Sequence, residues 1–205
     1  MSASPIPKLS RDAIVQAAVV IADREGLDAV SMRRIGADLG YSGMSLYGHV
    51  AGKEELVALM ADHVLGEVPD IDPDAPWDVA IVDFFIALHA VLLDHSGVSQ
   101  AYTLRPTSGP NTTRHGRQAL AALTAGGLPD RLAVEAFVAL SCYTMGAALY
   151  TSARAARPDP QWLGFGITGE DLATLRDHLA VRAGPEQFRS GLEHLVRGYA
   201  TEIGA

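Results

Sequence analysis

The chain has 205 residues, of which 48% are hydrophobic and 6% aromatic, and its formal net charge at pH 7 is −8. This length allows one or two domains with a sizeable buried core. No run of about twenty apolar residues is free of charges and helix breakers, which argues against a membrane span. Residues 1–8 lack the apolar core of a secretory signal. We therefore expect a cytoplasmic protein with no membrane partner.

The residue types needed for catalysis or metal binding are sparse and scattered. Cys142 is the single cysteine, which excludes an internal disulfide and a multi-cysteine metal site. The apolar residues around it predict a buried packing role. The seven histidines lack the spacing of metal ligands on one helix face, and no nucleophile elbow, phosphate loop or dinucleotide-binding fingerprint is present. We predict that the chain is not an enzyme and uses no cofactor or resident metal.

The negative charge is unevenly distributed along the chain. Residues 1–53 carry six basic and five acidic side chains, whereas residues 54–205 carry ten basic and nineteen acidic ones. A locally basic face on the first segment is therefore compatible with phosphate binding. The low net charge of that segment predicts modest non-specific affinity for nucleic acid and a strong dependence on salt.

Helical periodicity begins near residue 9. Apolar positions between residues 9 and 25 recur at i, i+3 and i+4, with Ser10 as a candidate N-cap and Gly26 as the end of the helix. Residues 54–65 carry a second apolar stripe and predict a connecting helix. The proline-rich acidic segment 67–76 cannot remain helical, so we expect a loop there.

Residues 31–50 predict two short helices joined by a sharp turn, which is the layout of a helix-turn-helix. Ser31 and Ser42 are candidate N-caps, and Gly40 lies where the first helix must end. The apolar positions of the two helices can meet; they are Ile35, Leu39, Leu46 and Val50. The residues expected to face outward, toward a duplex, are Gly43, Met44, Tyr47 and His49. The same spacing also fits a pair of packed helices that does not bind DNA.

The rest of the chain contains further helical segments and no alternating pattern that would indicate a sheet. They are predicted at 77–95, 98–104, 110–125, 130–155, 169–182 and 185–203. The fold class is therefore predicted to be all-α. The long apolar segment at 130–155 and the last segment at 185–203 fit either a dimer interface or the core of a single chain.

Residues 46–53 (Leu-Tyr-Gly-His-Val-Ala-Gly-Lys), following residues 32–40, resemble the DNA-binding region of TetR-type transcriptional repressors. Their signature is a leucine-tyrosine-x-histidine run followed by a loop and a lysine. The resemblance covers about the first sixty residues. A weaker resemblance over the rest of the chain is to the tetracycline-repressor branch of the family. It implies a helix-turn-helix DNA-binding domain at 1–53, a connecting helix at 54–66, and an effector-binding and dimerisation domain at 67–205.

The resemblance also implies the roles of individual residues at the DNA. Tyr47 and His49 are implied as phosphate contacts, and Lys53 supplies a positive charge just beyond the second helix. Ser31 and Arg33 approach the adjoining strand, and the Arg33 fork can reach a guanine edge. The remaining residues of this implied surface are Ser42, Gly43 and Met44. An alternative for Tyr47 is a ring packed on the first helix.

The candidate effector site is an apolar stripe with a few polar groups, as a small-molecule pocket requires. Its candidate residues are Phe84, Leu88, His89, Leu92, Tyr102, Leu104, His115, Tyr143, Thr144 and Trp162. The same stripe also fits an ordinary core. The family's tetracycline- and magnesium-binding groups are not reproduced at the matching positions, which are Pro69, Phe84, Leu88 and Ala101. This departure from the family pattern argues against a magnesium–tetracycline ligand and points to a small, largely apolar effector or to one held by different groups.

The predicted function is a ligand-responsive transcriptional regulator of the repressor type. It would bind a palindromic operator in double-stranded DNA as a homodimer and be released by a small molecule. The alternatives are a regulator without an effector, an activator, and a helical dimer that binds other proteins and uses the helix-turn-helix only as scaffold.

Overall fold

The computed structural model describes residues 9–99, 108–156 and 184–203 of the chain. Every regular element over these ranges is helical, in agreement with the predicted all-α fold. In chain order the helices are α1 (Arg11–Glu25), α2 (Met32–Leu39), α3 (Gly43–Leu46), α4 (Lys53–Leu65), α5 (Trp77–Asp94), α6 (Pro110–Ala125), α7 (Asp130–Ala156) and α8 (Pro185–Thr201). A 3-10 turn over Leu27–Ala29 separates α1 from α2. The helix predicted at 98–104 lies mostly outside the described residues, and the helix predicted at 169–182 lies wholly outside them.

The second helix of the helix-turn-helix is shorter than the sequence pattern indicates. After the four residues of α3, Tyr47 N donates to Met44 O and His49 N donates to Leu46 O. Such bonds to the third preceding residue are typical of 3-10 geometry. The tight turn still places Leu46 and Val50 on the buried side, where they are 0% and 1% exposed.

The chain divides into two compact units. The first comprises Met1–Asp70 and Ala90–Arg117, and the second comprises Ile71–His89 and Gln118–Ala205. Two of the divisions fall inside helices, one within α5 and one within α6. The functional boundaries predicted after residues 53 and 66 stay predictions.

In the first unit, helices α1 to α4 close around one apolar core. Ile14, Ile35, Leu46 and Met60 come from four different helices and have no exposed surface. Burial of one such side chain contributes about 1.5–3 kcal/mol to stability. Leu39, predicted at the same contact, is half-buried and packs against this core.

In the second unit, α5, α7 and α8 supply the core. Ile81, Phe85, Leu140 and Leu192 have no exposed surface. The Phe85 ring lies 6.3 Å from the ring of Phe137 on α7. Because these aliphatic and aromatic side chains come from all three helices, their burial holds the helices together.

One side of α7 is apolar and exposed. Val134 and Val138 are 50% and 53% exposed, and Cys142 is exposed on the same side, four residues after Val138. The prediction that Cys142 is buried is therefore wrong for the single chain, because this side of α7 faces away from the core. By length and composition alone, α7 is also the helix within the described ranges that could cross a membrane, over Asp130–Ala155.

Candidate DNA-binding surface and effector region

Local hydrogen bonds fix the start and end of the two short helices. Arg34 N donates to Ser31 Oγ and Ser45 N donates to Ser42 Oγ, each at 3.2 Å. Gly40 ends α2 with φ at 77°, in the left-handed region that favours glycine. The predicted caps and the predicted end of α2 are confirmed.

Two glycines allow α2 and the following turn to approach closely. A Cβ at Gly36 would lie 2.7 Å from Tyr41 O, and a Cβ at Gly43 would lie 3.2 Å from Arg33 Cα. Gly43 is therefore half-buried against α2, contrary to the expectation that it faces outward. The two contacts set the distance between the helices of the helix-turn-helix.

We expect Gly36→Ala to lower the free energy of unfolding by about 1–3 kcal/mol, because the added Cβ forces the turn away from α2. Chemical denaturation at a fixed protein concentration measures this loss. Gly48→Ala is the matched control, since its Cβ would lie 3.7 Å from the nearest atom. Equal stability of both variants would contradict the close contact at Gly36.

The exposed surface of the helix-turn-helix carries most of the predicted DNA contacts. Met44 is 77% and Tyr47 is 52% exposed, which disfavours the alternative in which the Tyr47 ring packs on α1. Arg33 and Lys53 are also exposed, and His49 is half-buried. Their exposure leaves them able to contact a duplex.

Ion pairs distinguish the two adjacent arginines of α2. Arg34 pairs with Glu25 at 2.7 Å and with Asp38, and the hydrogen bonds with these two carboxylates raise the pKa of Arg34. Among the described residues, Arg33 and Lys53 form no ion pair. Their charges are therefore available to phosphates, whereas the charge of Arg34 is compensated within the protein.

Arg11 fixes the loop that follows α3. Its Nε donates to His49 O at 3.0 Å and its NH2 donates to Glu55 Oε1 at 3.1 Å. The other oxygen of Glu55 accepts from Ala51 N at 2.5 Å. Arg11 thereby joins the start of α1 to the loop and to α4. Sequence analysis missed this role because Arg11 is 38 and 44 residues from its partners.

A buried carboxylate holds the C-terminal half of α4 to the start of α6. Asp62 is 7% exposed. It accepts hydrogen bonds from Thr112 N and Thr112 Oγ1, both at 2.9 Å, and from Asn111 Nδ2 at 3.2 Å. A Cβ at Gly109 would overlap this carboxylate. Asp62 therefore caps the N-terminus of α6 from another helix.

His95, directly after α5, joins two further segments of the first unit. Its Nδ1 lies 2.8 Å from Asp23 Oδ2 on α1, and its Nε2 lies 3.2 Å from Glu67 Oε2 beyond α4. Desolvation by burial lowers the pKa of His95, but hydrogen bonds to the two carboxylates and their charges outweigh it. The pKa is therefore raised above its usual value.

We expect His95→Gln to cost more stability at about pH 6 than at about pH 8.5. Because the folded pKa is raised, the contribution of His95 is complete below its unfolded pKa of about 6.5 and is lost as the pH rises through the folded pKa. Chemical denaturation at the two pH values measures the difference, with exposed His194→Gln as the control. An equal loss at both pH values would contradict the ion-paired arrangement.

The predicted effector residues divide between the two units. Phe84, Leu88, His89, Tyr143 and Thr144 belong to the second unit, and Leu92 and His115 belong to the first. Tyr102, Leu104 and Trp162 lie outside the described residues. Thr144 is fully buried, and its hydroxyl donates to Leu140 O at 2.8 Å, a bond within the helix.

The two histidines of this set have different surroundings. His115 is buried, and its Nε2 lies 3.1 Å from Arg114 NH2. The pKa of His115 is lowered, mainly because burial desolvates the ring and also because the positive charge of Arg114 is close. Desolvation by burial also lowers the pKa of His89. The His89 ring stacks on Phe188, with centroids 3.9 Å apart, and Phe188 stacks in turn on Tyr143 at 5.4 Å.

Two clefts open on the second unit. One, of about 280 Å³, lies between α5 and α6 and is lined by Trp77 and Gln118. The other, of about 290 Å³, lies between α5 and α8 and is lined by Val79, Arg189 and other residues. None of the predicted effector residues lines either cleft. Sequence analysis did not single out Gln118, whose Oε1 accepts a hydrogen bond from Ile71 N at 3.3 Å.

Two family models match the chain. Residues 14–60 match the model described as bacterial regulatory proteins, tetR family, and residues 72–203 match the tetracyclin repressor-like C-terminal domain. The chain belongs to the tetR family. Since this is a family of regulatory proteins, its members are not enzymes, as predicted.

Individual relatives of this tetR-family chain agree with the family models. The HTH-type transcriptional repressor DrrR1 of Streptomyces coeruleorubidus is 38% identical to this chain over the aligned residues. The alignment covers 72% of this chain and only 55% of the repressor. The crystal structure of apo ActR from Streptomyces coelicolor is 32% identical with a TM-score of 0.77, covering 99% of both chains. ActR in complex with actinorhodin is 31% identical with a TM-score of 0.76, covering 96% of this chain and 99% of that chain. The predicted family, its N-terminal helix-turn-helix domain and its helical C-terminal domain are confirmed.

Proposed function

We propose that the chain is a ligand-responsive transcriptional repressor that binds a palindromic operator as a homodimer in the cytoplasm. The observation that carries the proposal is the exposed surface of the helix-turn-helix, where Arg33 and Lys53 have no ion pair among the described residues and Tyr47 is 52% exposed. The family of the chain and the repressor DrrR1 among its relatives support this function.

At the DNA, Tyr47, His49 and Lys53 bind phosphates and set the register of α3 in the major groove. Met44, at 77% exposure, contacts the methyl group of a thymine. The remaining contacts are assigned to Ser31, Arg33, Ser42 and Gly43. Because the Ser31 and Ser42 side chains also cap helices, and Gly43 has no side chain, few direct hydrogen bonds to bases are available. DNA shape therefore contributes to specificity.

The second copy of the chain covers the exposed side of α7. The exposed stripe of Val134, Val138 and Cys142 is apolar, and an exposed apolar surface of this kind marks an interaction site. We assign α7 and α8 to a two-fold interface, which accounts for a two-fold operator. Such an interface also buries Cys142, as its apolar surroundings predict.

The effector acts through α4. It binds among the predicted residues of the C-terminal domain, shifts the connecting helix at 54–66, and changes the separation of the two DNA-binding domains in the dimer. An effector that binds one separation better than the other shifts the population toward it. The solved complex of the relative ActR with actinorhodin supports a response to a small molecule.

Val138→Glu tests the proposed dimer. We expect this variant to sediment as a monomer and to bind a palindromic duplex at least about 100-fold more weakly, because the two half-sites are no longer bound together. Analytical ultracentrifugation and fluorescence anisotropy measure the two effects. Val20→Glu, at a valine of α1 with 41% exposure, is the matched control and should remain a dimer. A dimeric Val138→Glu variant would contradict the assignment of this interface.

A further inference from the structure

The segment from the end of α3 to the first residue of α4 carries all three assigned phosphate contacts but has few side chains that could hold it in place. We call this segment, residues 47–53, the contact loop. It contains Gly48, Ala51 and Gly52, and glycines increase the conformational entropy that an ordered loop loses. Gly52 precedes α4 and supplies no side-chain cap. Val50 is the residue of the loop that is buried in the core. The conformation of the contact loop therefore depends on residues outside it.

Two side chains outside the contact loop hold its backbone. Arg11 Nε donates to His49 O at 3.0 Å, and Glu55 Oε2 accepts from Ala51 N at 2.5 Å. Arg11 NH2 also donates to Glu55 Oε1 at 3.1 Å, so one ion pair connects the two hydrogen bonds to the loop. Glu55 is the third residue of α4, the position from which the acid of a capping box reaches back to the backbone before the helix.

The packing of two helices fixes the positions of Arg11 and Glu55. Arg11 is the first residue of α1, and Ser10 caps this helix by accepting from Ala13 N at 3.1 Å. Glu55 precedes Leu56, which is 1% exposed in the core that α1 and α4 share. The planar guanidinium presents Nε and NH2 in a fixed geometry to its two acceptors. The Arg11–Glu55 pair therefore ties the contact loop to both helices.

The charge of Glu55 distinguishes holding the loop from attracting DNA. A carboxylate repels phosphates, so the charge of Glu55 by itself weakens binding to a duplex. The ion pair also compensates the charge of Arg11, as the pairs of Arg34 do on α2. The hydrogen bonds of the pair to the loop account for a carboxylate two residues from Lys53, whereas attraction of phosphates does not.

We propose that Arg11 and Glu55 are positioning residues for operator binding. They hold the contact loop in the conformation in which His49 and Lys53 reach the phosphates, so that little binding free energy is lost in ordering the loop. This inference rests on the proposed DNA-binding function and adds two residues that act through the loop rather than by contact with DNA.

Glu55→Gln tests the proposal because positioning and charge have opposite effects on affinity. The variant keeps the size of the side chain, but its one amide oxygen cannot replace both carboxylate oxygens. Loss of a negative charge alone would tighten binding to DNA. We expect binding about tenfold weaker instead, because the loop of each protomer must then be ordered on binding. Fluorescence anisotropy measures the affinity for the palindromic duplex that the wild type enriches from a random library.

The salt dependence and a matched control separate this effect from a general loss of structure. In Glu55→Gln, the slope of log K against log salt should fall, because phosphate contacts are lost although the protein becomes less negative. Asp12→Asn makes the same charge change at an exposed carboxylate next to Arg11. It should bind at least as tightly as the wild type and keep the wild-type slope. Chemical denaturation and sedimentation verify that each variant is folded and dimeric.

Arg11→Gln and the double variant complete a cycle of substitutions. Because the pair holds one loop, the double variant should bind about as weakly as each single variant. If both residues acted by charge alone, the two effects would oppose each other and the double variant would return to wild-type affinity. Hydrogen exchange of the Ala51 amide measures the hold on the loop without DNA and should be faster in Glu55→Gln.

Three results would overturn the proposal: Glu55→Gln binding operator as tightly as the wild type, a double variant with wild-type affinity, or unchanged exchange of the Ala51 amide. If the wild type itself binds no palindromic duplex, the proposed function fails and the positioning role fails with it. If the wild type and Glu55→Gln bind the duplex equally, the positioning role alone fails.

Discussion

Replacement of both Tyr47 and Lys53 by alanine is expected to lower operator affinity by at least about 100-fold, because each side chain is proposed to form a hydrogen bond with a charged phosphate in each protomer. Both side chains are exposed, and Lys53 forms no ion pair among the described residues. Loss of a phosphate contact weakens binding to all sequences about equally. The slope of log K against log salt should also fall, by about one for each lost charge contact.

The control for this variant is Glu54→Ala with His63→Ala, at two exposed positions of α4 that are not assigned to the DNA surface. Fluorescence anisotropy at several salt concentrations measures affinity and slope, and sedimentation verifies that both variants remain dimers. If the Tyr47 and Lys53 variant binds operator as tightly as the wild type, the DNA surface has been assigned to the wrong residues. A helical dimer that binds proteins would then be favoured.

Asp62→Ala is expected to lower the free energy of unfolding by about 2–4 kcal/mol. The carboxylate accepts hydrogen bonds from the backbone and the hydroxyl of Thr112 and from the Asn111 side chain. Its removal leaves the first turn of α6 without its cap and several donors without an acceptor. Chemical denaturation measures the loss, at a fixed protein concentration because the stability of a dimer depends on concentration.

Asp94→Ala is the matched control for this carboxylate, since Asp94 is exposed at the end of α5 in the same unit. Its free energy of unfolding should change by less than about 0.5 kcal/mol. If Asp62→Ala is no less stable than this control, the cap contributes little and α4 is not held to α6 by this residue. Asp62→Asn should lie between the two variants, because an amide oxygen still accepts hydrogen bonds but carries no charge.

The elements predicted correctly from the sequence are those that local interactions decide. Ser10, Ser31 and Ser42 cap helices through backbone groups three residues away, and Gly40 ends α2 through its own backbone conformation. Such features depend on a few neighbouring residues, so a pattern in the sequence suffices to find them. The family resemblance then supplied the function of the helix-turn-helix, which the spacing alone left open.

The features that sequence analysis missed depend on residues far apart in the chain. Asp62 and Thr112 are 50 residues apart, and Asp23 and His95 are 72 apart. No local pattern reveals which carboxylate meets which helix end, because tertiary packing decides it. The ring of Phe188 is a similar case. Sequence analysis assigned His89 and Tyr143 to the effector site but not Phe188, whose ring stacks on both of them.

A pattern in the sequence also does not reveal whether a second copy of the chain covers a side chain. The apolar surroundings of Cys142 predict burial, yet the residue is exposed on α7. Periodicity identifies an apolar side of a helix but does not distinguish a core from an interface with a second copy. For the exposed stripe of α7, the sequence pattern alone therefore fits both a core and an interface.

The chain is proposed to bind operator DNA as a dimer. Selection of binding sites from a random duplex library, with purified protein at near-physiological salt, tests it most directly. We predict enrichment of a palindrome with half-sites about 34–36 Å apart or at a multiple of that distance, and this palindrome then serves as the probe for release by candidate effectors. If folded, dimeric protein enriches no sequence, the chain is not a sequence-specific DNA-binding regulator on its own, which contradicts the proposed function.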